Sequence, residues 1–450
     1  MVQAPERGHS REELRAMGRA LRDRCPRSSH GEWRPGPDRP DPLALLEESN
    51  RGRLPDLVPV RHARMLASPF AFYRGAPLVM ASDLSRAPAT GVHIQVCGDA
   101  HARNFGTFAT PERNLVFDVN DFDETQVGPW EWDVKRLAAS LVVAARTSGL
   151  ADAHASAAVQ RACAEYRSTM AALAELSPFD VWHNRIDISQ IVAAAPTPRA
   201  QAETAKLVTK VAHRTSLQAL AKLTTVVDGR RVIIEDPPLV TRLPPEDLAQ
   251  AHRLARAYRA TLDPDRRLLL DRYEIVDAAR KVVGVGSVGT RCFIVLLAST
   301  VGLEPLFLQI KEARPSVLSG FVPGSPYANQ GQRVVVGQRV MQAASDVFLG
   351  WARAEGFDVY VRQLRDMKWS PDIGAPDPGA LSDYGRLCGA TLARAHARAG
   401  EPALLASYLG RGTTFDDAIA RFAVAYADQN ERDYDAFRNA VRSGQLEAAT

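Results

Sequence analysis

Lysine is scarce in this chain. Only seven of the 56 basic residues are lysine, so arginine carries nearly all the positive charge. A lysine inside an apolar stretch therefore stands out. The net charge of +4 over 450 residues is small. Without a clustered basic face it argues against a nucleic-acid partner. Cysteine is sparse as well: Cys25, Cys97, Cys163, Cys292 and Cys388 are odd in number, widely spaced and form no Cys-x-x-Cys pair. That excludes a disulfide framework or a zinc ribbon and points to a reducing, cytoplasmic setting. Long apolar runs are missing too. The longest, such as CFIVLLASTVGL, fall short of the roughly 20 residues that span a bilayer, so no membrane partner is expected. The first 40 residues are charged and proline-rich and lack the apolar stretch of a secretory leader. No internal repeat is visible.

What is present is an ordinary globular composition, 46% apolar and 24% charged. Such a length suits two domains or one two-lobed fold. Residues 1–50 read as a basic, partly disordered arm with helices near 10–23 and 41–52, the second capped by Asp41. Residues 51–278 read as a mostly helical region. It contains a strand at 92–97, an alternating strand at 114–125, helices at 130–149, 151–176, 198–223 and 245–261, and a hairpin over 224–234 turning on Asp228-Gly229. Residues 279–369 read as β-rich, with strands over 281–299, 305–313 and 357–368 and a helix at 329–344. Residues 370–450 begin with a Pro/Gly-rich loop (370–379). Closing helices follow, the first over 381–399 with Ser382 as cap and Gly400 as stop.

Three short motifs carry chemistry. The first is GDAHARN, where Asp99 and Asn104 have the D-x(4)-N spacing of a kinase catalytic loop. There an aspartate faces the acceptor hydroxyl and an asparagine offers a hard oxygen to magnesium. His101 orients the loop or is simply a structural histidine. The second is VFDVNDFDE. Asp121, at the end of an alternating strand, resembles the magnesium-binding aspartate of a D-F-G motif. Asp123 adds a carboxylate to the metal set, and Asp118 is a secondary candidate. The plain alternative is an acidic turn. The third is GVGSVGTR followed by LFLQIKEA. Gly284, Gly286, Ser287 and Gly289 make a glycine-rich turn, and Lys311 lies on the next strand but one. A dinucleotide fold would place a helix directly after the glycines. Here a strand follows, which favours a turn that covers nucleotide phosphates, with Lys311 pairing them. Asp133 and Arg136 are expected to anchor the loop around Asp99, and Arg74 is within possible reach of it.

In ordinary kinases the glycine-rich turn and lysine precede the catalytic loop; here they follow it. Circular permutation accounts for this, because contacts rather than chain order define a core. The expected fold is therefore α+β and two-lobed, protein-kinase-like, with a helical large lobe first and a β-rich small lobe after it. The segments SPFAFYRG, GDAHARNFG, FDVNDFDE, GPWEWDVKRLAASL, VGVGSVGTRCF, LFLQIKEARPSVL and GQRVVVGQRVMQAASDVFLGW together resemble the bacterial domain of unknown function 2252, over roughly residues 50–440. That family is grouped with protein-kinase-like proteins of the aminoglycoside-phosphotransferase type. The resemblance implies ATP and magnesium as cofactors, with Asp99 as base, Asn104 and Asp121 on the metal, and Gly284, Gly286, Gly289 and Lys311 on phosphates. The acceptor would be a small molecule.

The sequence departs from the kinase pattern in one important place. The helix at 329–344 holds no glutamate to pair with Lys311, only Gln332 and Gln338, so Asp123 or Glu312 would have to serve. That keeps three other functions open: a nucleotide-binding pseudoenzyme, a nucleotidyl transferase and a metal-dependent phosphohydrolase.

Overall fold

A computed structural model describes residues 8–449 apart from 194–197, 213–215, 244, 303, 365–368 and 371–376. The expected strand end at 365–368 and most of the expected loop at 370–379 lie outside the described residues.

Helix Trp130–Thr147 is the centre of the molecule. Every residue from Trp130 to Ala145 is buried, as happens when a helix is covered on all sides. Helices Asp152–Leu173, Pro378–Ala399 and Thr414–Arg442 surround it. The helices Asp152–Leu173 and Pro378–Ala399 approach closely because Gly385 and Gly389 face the backbone of Ala158 and Ala162. Helix Pro378–Ala399 starts earlier than expected. Asp377, not Ser382, is its cap and accepts from the Ala380 amide at 2.9 Å. Pro378 suits the first turn, whose amides lack partners in any case. Gly400 ends it as expected.

The N-terminal residues are not a loose arm from residue 8 onward. Helix Arg11–Arg24 packs on helix Pro402–Leu409. Arg39 lies between Asp83 and Asp433, 2.8 and 2.6 Å away. Counting charges along the sequence could not show that these arginines have carboxylates waiting elsewhere in the fold. Asp41 caps helix Pro42–Asn50 as expected. The apolar stretch after it folds into three short helices, Val58–Leu66, Pro69–Gly75 and Pro77–Leu84.

All strand pairings in the described residues are antiparallel. The architecture is α+β, with several small sheets among many helices. His93–Val96 pairs with Gln126–Pro129, and Phe105–Ala109 with Leu115–Val119. The Asp228-Gly229 hairpin forms as expected. The largest sheet has six strands, in the order Gly350–Ala354, Phe357–Gln363, Pro305–Ala313, Cys292–Ser299, Tyr273–Lys281, Val240–Arg242. It has its own apolar core beneath helix Pro245–Ala260, including Leu254, Tyr258, Leu297 and Val361. The boundary expected at 278–279 cuts strand Tyr273–Lys281, which pairs along its length with Cys292–Ser299. That strand mixes charged and apolar residues, so periodicity does not reveal it.

Candidate functional site

The GDAHARN loop is fixed from behind by helix Trp130–Thr147. The Asp133 carboxylate accepts from the amides of Cys97 at 2.7 Å and Gly98 at 3.0 Å. It also lies 3.3 Å from His396 Nε2, whose Nδ1 is 2.8 Å from the Tyr166 hydroxyl. Gly98 takes φ +80°, and a Cβ there would sit 2.2 Å from the Glu124 carbonyl oxygen. Only glycine fits such a position. Arg136, one helical turn after Asp133, donates from Nε to Asp99 Oδ1 at 2.8 Å and stacks on the Tyr73 ring. Arg136 thus reaches the Asp99 side chain itself, beyond the backbone role expected of it.

Inside the loop, the Asn104 side-chain amide donates to the Asp99 carbonyl at 2.8 Å. The amide nitrogen is thereby committed, so the oxygen is the atom left to meet a cation. His101 is buried, and its Nδ1 accepts from the Arg103 amide at 3.2 Å. Burial, with the charges of Arg74 and Arg136, drives its pKa well below the ordinary value. The ring is neutral, and the accepting Nδ1 assigns the proton to Nε2, 3.7 Å from Asp99 Oδ2.

The acidic turn after strand Leu115–Val119 meets the six-stranded sheet. Lys311 Nζ lies 2.6 Å from Asp123 Oδ2 and 3.8 Å from Asp121 Oδ1. Asp123 also accepts from the Tyr360 hydroxyl at 2.5 Å and from Ser287 Oγ at 3.2 Å. Asp123 is therefore the counter-ion of Lys311, and its oxygens are engaged otherwise than in the metal role expected of it. Glu312 pairs with Arg291 at 3.2 Å. Gln338 bonds to Gln342, not to the lysine. Burial opposes charge on Asp123, but Lys311, Tyr360 and Arg362 together outweigh it and hold the carboxyl below its ordinary range. Burial and the adjacent Asp123 push Asp121 above its range, against the pull of Lys311. Two crowded carboxylates of this kind are what a divalent cation relieves.

Among the described residues, no group of three or more His, Cys, Asp or Glu side chains forms a metal centre. Magnesium shared with phosphates needs only one or two protein oxygens. Asp121 and Asn104, both on the cleft, fit that requirement.

The glycine-rich turn joins strands Tyr273–Lys281 and Cys292–Ser299. Gly284 and Gly289 adopt φ +63° and +86°. Gly284, Gly286 and Ser287 line a cleft of about 310 Å³ together with Asp99, His101, Asn104, Asp121 and Asp123. The fold thus brings together residues far apart in sequence. Lys311 reaches this group through Asp121 and Asp123. Gly289 packs against Arg53, and Asp118 is held outside the cleft lining by the Val119 and Ala343 amides.

Several contributors were not legible in the sequence. Arg333, on the helix that lacks a glutamate, donates to the carbonyls of Asp123 at 2.9 Å and Arg314 at 2.8 Å. Tyr360 comes from a neighbouring strand. Arg53, Arg61 and Arg314 line the same cleft. In an arginine-rich chain none of these has a distinguishing local pattern.

With this geometry in hand, comparison with known proteins places the chain by family. It belongs to a family described as an uncharacterized protein conserved in bacteria, domain of unknown function 2252, whose profile matches residues 53–440. Neither a curated protein nor a solved structure matches it. Among the described residues, no helix is long and apolar enough to cross a membrane. The five cysteines are all free and buried.

Proposed function

We propose that the protein is a kinase-like phosphotransferase. It would use ATP and magnesium and act on a hydroxyl of a small molecule in the cytoplasm. The observation that carries this reading is Lys311, 2.6 Å from Asp123 and 3.8 Å from Asp121 across 188 residues of chain. A phosphate-pairing lysine, a glycine-rich cover and a cation-holding carboxylate around one cleft are the parts phosphoryl transfer uses. In this reading the six-stranded sheet is the small nucleotide lobe and the helical body the large lobe. The chain would run in circularly permuted order, and helix Pro378–Ala399 would return to pack beneath the loop of Asp99.

Asp121 and Asn104 would hold magnesium, whose chemistry would be to neutralise charge on the transferring group. The protein's own part is positional. Arg136 fixes Asp99 through Oδ1, which leaves Oδ2 to accept from the acceptor hydroxyl and orient it. A loose transition state asks for orientation more than for strong basicity. Neutral His101 beside Oδ2 adds no competing charge. A second reading, nucleotide binding without transfer, is favoured by the closed Lys311–Asp123 pair, which phosphates would have to open.

ATP binding and turnover, with and without magnesium, separate these readings. Asp121→Ala should abolish magnesium-dependent binding. Asp99→Ala should keep binding and lose turnover by about 10²-fold or more. Binding with no turnover on any hydroxyl acceptor would select the second reading, and no nucleotide binding at all would sink both.

A further inference from the structure

Four arginines line the cleft: Arg53, Arg61, Arg74 and Arg314. Three converge on one residue, Ser49. Arg53 Nε and Arg314 donate to its carbonyl at 2.9 and 3.2 Å, and Arg61 to its hydroxyl at 3.2 Å. Their other acceptors are neutral: the Gly286 and Val288 carbonyls for Arg53, Asn50 and the Gly75 carbonyl for Arg61, and the Arg51 carbonyl for Arg314. Arg61 is 1% exposed, yet its Nε has no partner. Arg74 Nε is also buried and unpaired. Of the carboxylates on this cleft, Glu312 pairs with Arg291, Glu124 accepts from the Val317 amide, Asp123 pairs with Lys311 and Asp99 with Arg136. Glu48 and Asp121 also line it, and Asp99 and Asp121 act on Arg74 through space.

Elsewhere the half-buried Arg39 and the buried Arg136 pair with carboxylates, whereas the buried Arg333 donates to neutral oxygens. What sets the cleft apart is that four arginines gather on it. A buried cation without a counter-ion is costly, and a cluster of them more so. Burial together with the neighbouring guanidinium groups brings Arg53 down to about 10 and Arg61 well below its usual value, and burial beside Arg103 brings Arg74 down to about 10.

We infer that this end of the cleft binds a second oxyanion, a phosphate or carboxylate carried by the acceptor, so that the substrate is an anionic small molecule. The word acceptor rests on the phosphotransferase reading; the anion site does not. Magnesium offsets about half of the negative charge of a nucleoside triphosphate, and on the proposed reading Lys311, Asp121, Asn104 and the glycine-rich turn attend to the rest. Four further guanidinium groups exceed its need. They suit a planar or tetrahedral oxyanion held by forked hydrogen bonds. The same charge disfavours a cationic acceptor.

The test uses the full chain and four titrants: inorganic phosphate, malonate, ammonium chloride as salt control, and a fluorescent ATP analogue with magnesium. Phosphate or malonate should raise the melting temperature of wild type and of Lys311→Met, and whichever acts more strongly identifies the oxyanion. Arg314, whose guanidinium donates to the Ser49 and Arg51 carbonyls and not to the glycine-rich turn, is the first variant: Arg314→Gln should weaken that binding by about tenfold or more while retaining nucleotide binding. Arg74 Nε has no hydrogen-bond partner among the described residues, so Arg74→Gln should melt close to wild type yet bind the anion more weakly. It keeps the test valid if Arg314→Gln fails to fold. The inference is overturned if neither anion binds wild type, if the arginine variants bind it unchanged, or if they lose nucleotide and anion together. Anion binding with no nucleotide binding would leave the site standing and remove the phosphotransferase reading.

Discussion

Asp133 lies behind the cleft, yet it sets the loop that Asp99 depends on. Its two hydrogen bonds to successive amides hold the chain at the glycine turn. Hydrogen bonds to a charged acceptor contribute about 1.5–3 kcal/mol each. Asp133→Asn should therefore cost roughly 2–4 kcal/mol in urea unfolding, and turnover should fall further than nucleotide binding. An unchanged midpoint would show that the carboxylate charge is unimportant there. Asp118 gives a pH prediction. Burial raises its carboxyl to about 6, although the Val119 and Ala343 amides pull the other way. The folded chain then keeps a proton that the unfolded chain has released. Its contribution is present below about pH 4 and lost as pH rises through about 6. Asp118→Asn should thus match wild type near pH 4 and exceed it by up to about 3 kcal/mol at pH 7. Paired denaturation curves at the two pH values decide the matter.

At the scale of elements, two close approaches fix how the site is assembled. Gly98 lets the loop pass under the Glu124 carbonyl. Gly98→Ala combines a positive φ with a backbone clash, and a loss of about 2 kcal/mol or more is expected. Circular dichroism melts should show it, and on the proposed reading phosphoryl transfer should be lost even at temperatures where the variant is folded. Gly389 sets the spacing of helices Asp152–Leu173 and Pro378–Ala399. A Cβ there would lie 2.1 Å from the Ala162 carbonyl oxygen. Gly389→Ala should push the helices apart and cost about 1–3 kcal/mol, as overpacking does. A melting temperature equal to wild type would mean that the helix pair slides freely.

Across the whole molecule, the Lys311–Asp123 pair ties the six-stranded sheet to the helical body, with Tyr360 and Ser287 closing on the same carboxylate. Removing one partner strands a buried lysine, which usually costs several kcal/mol. Asp123 is partly open to the cleft, so about 2 kcal/mol is a fairer expectation for Asp123→Asn. Hydrogen exchange should quicken in the glycine-rich turn and in strand Pro305–Ala313 while helix Trp130–Thr147 stays protected. Uniform loss of protection would mean that sheet and helices unfold as one unit.

The sequence by itself determined the local chemistry. D-x(4)-N, the acidic turn, the glycine-rich hairpin and a rare lysine inside an apolar strand are all short-range patterns, and strand and helix periodicity placed most of them on the correct elements. The capping of Pro42–Asn50 by Asp41, the Asp228-Gly229 hairpin and the stop at Gly400 were legible for the same reason, since each depends on neighbours in the chain. Only the tertiary structure decided partnership. That Asp123 rather than Glu312 neutralises Lys311, that Arg136 grips Asp99, and that Arg333 of helix Gln330–Met341 reaches the Asp123 carbonyl all depend on contacts between residues distant in sequence. The cluster of Arg53, Arg61, Arg74 and Arg314 was least visible of all. Among forty-nine arginines, what distinguishes these four is that they gather on one cleft, and that property exists only once the chain has folded.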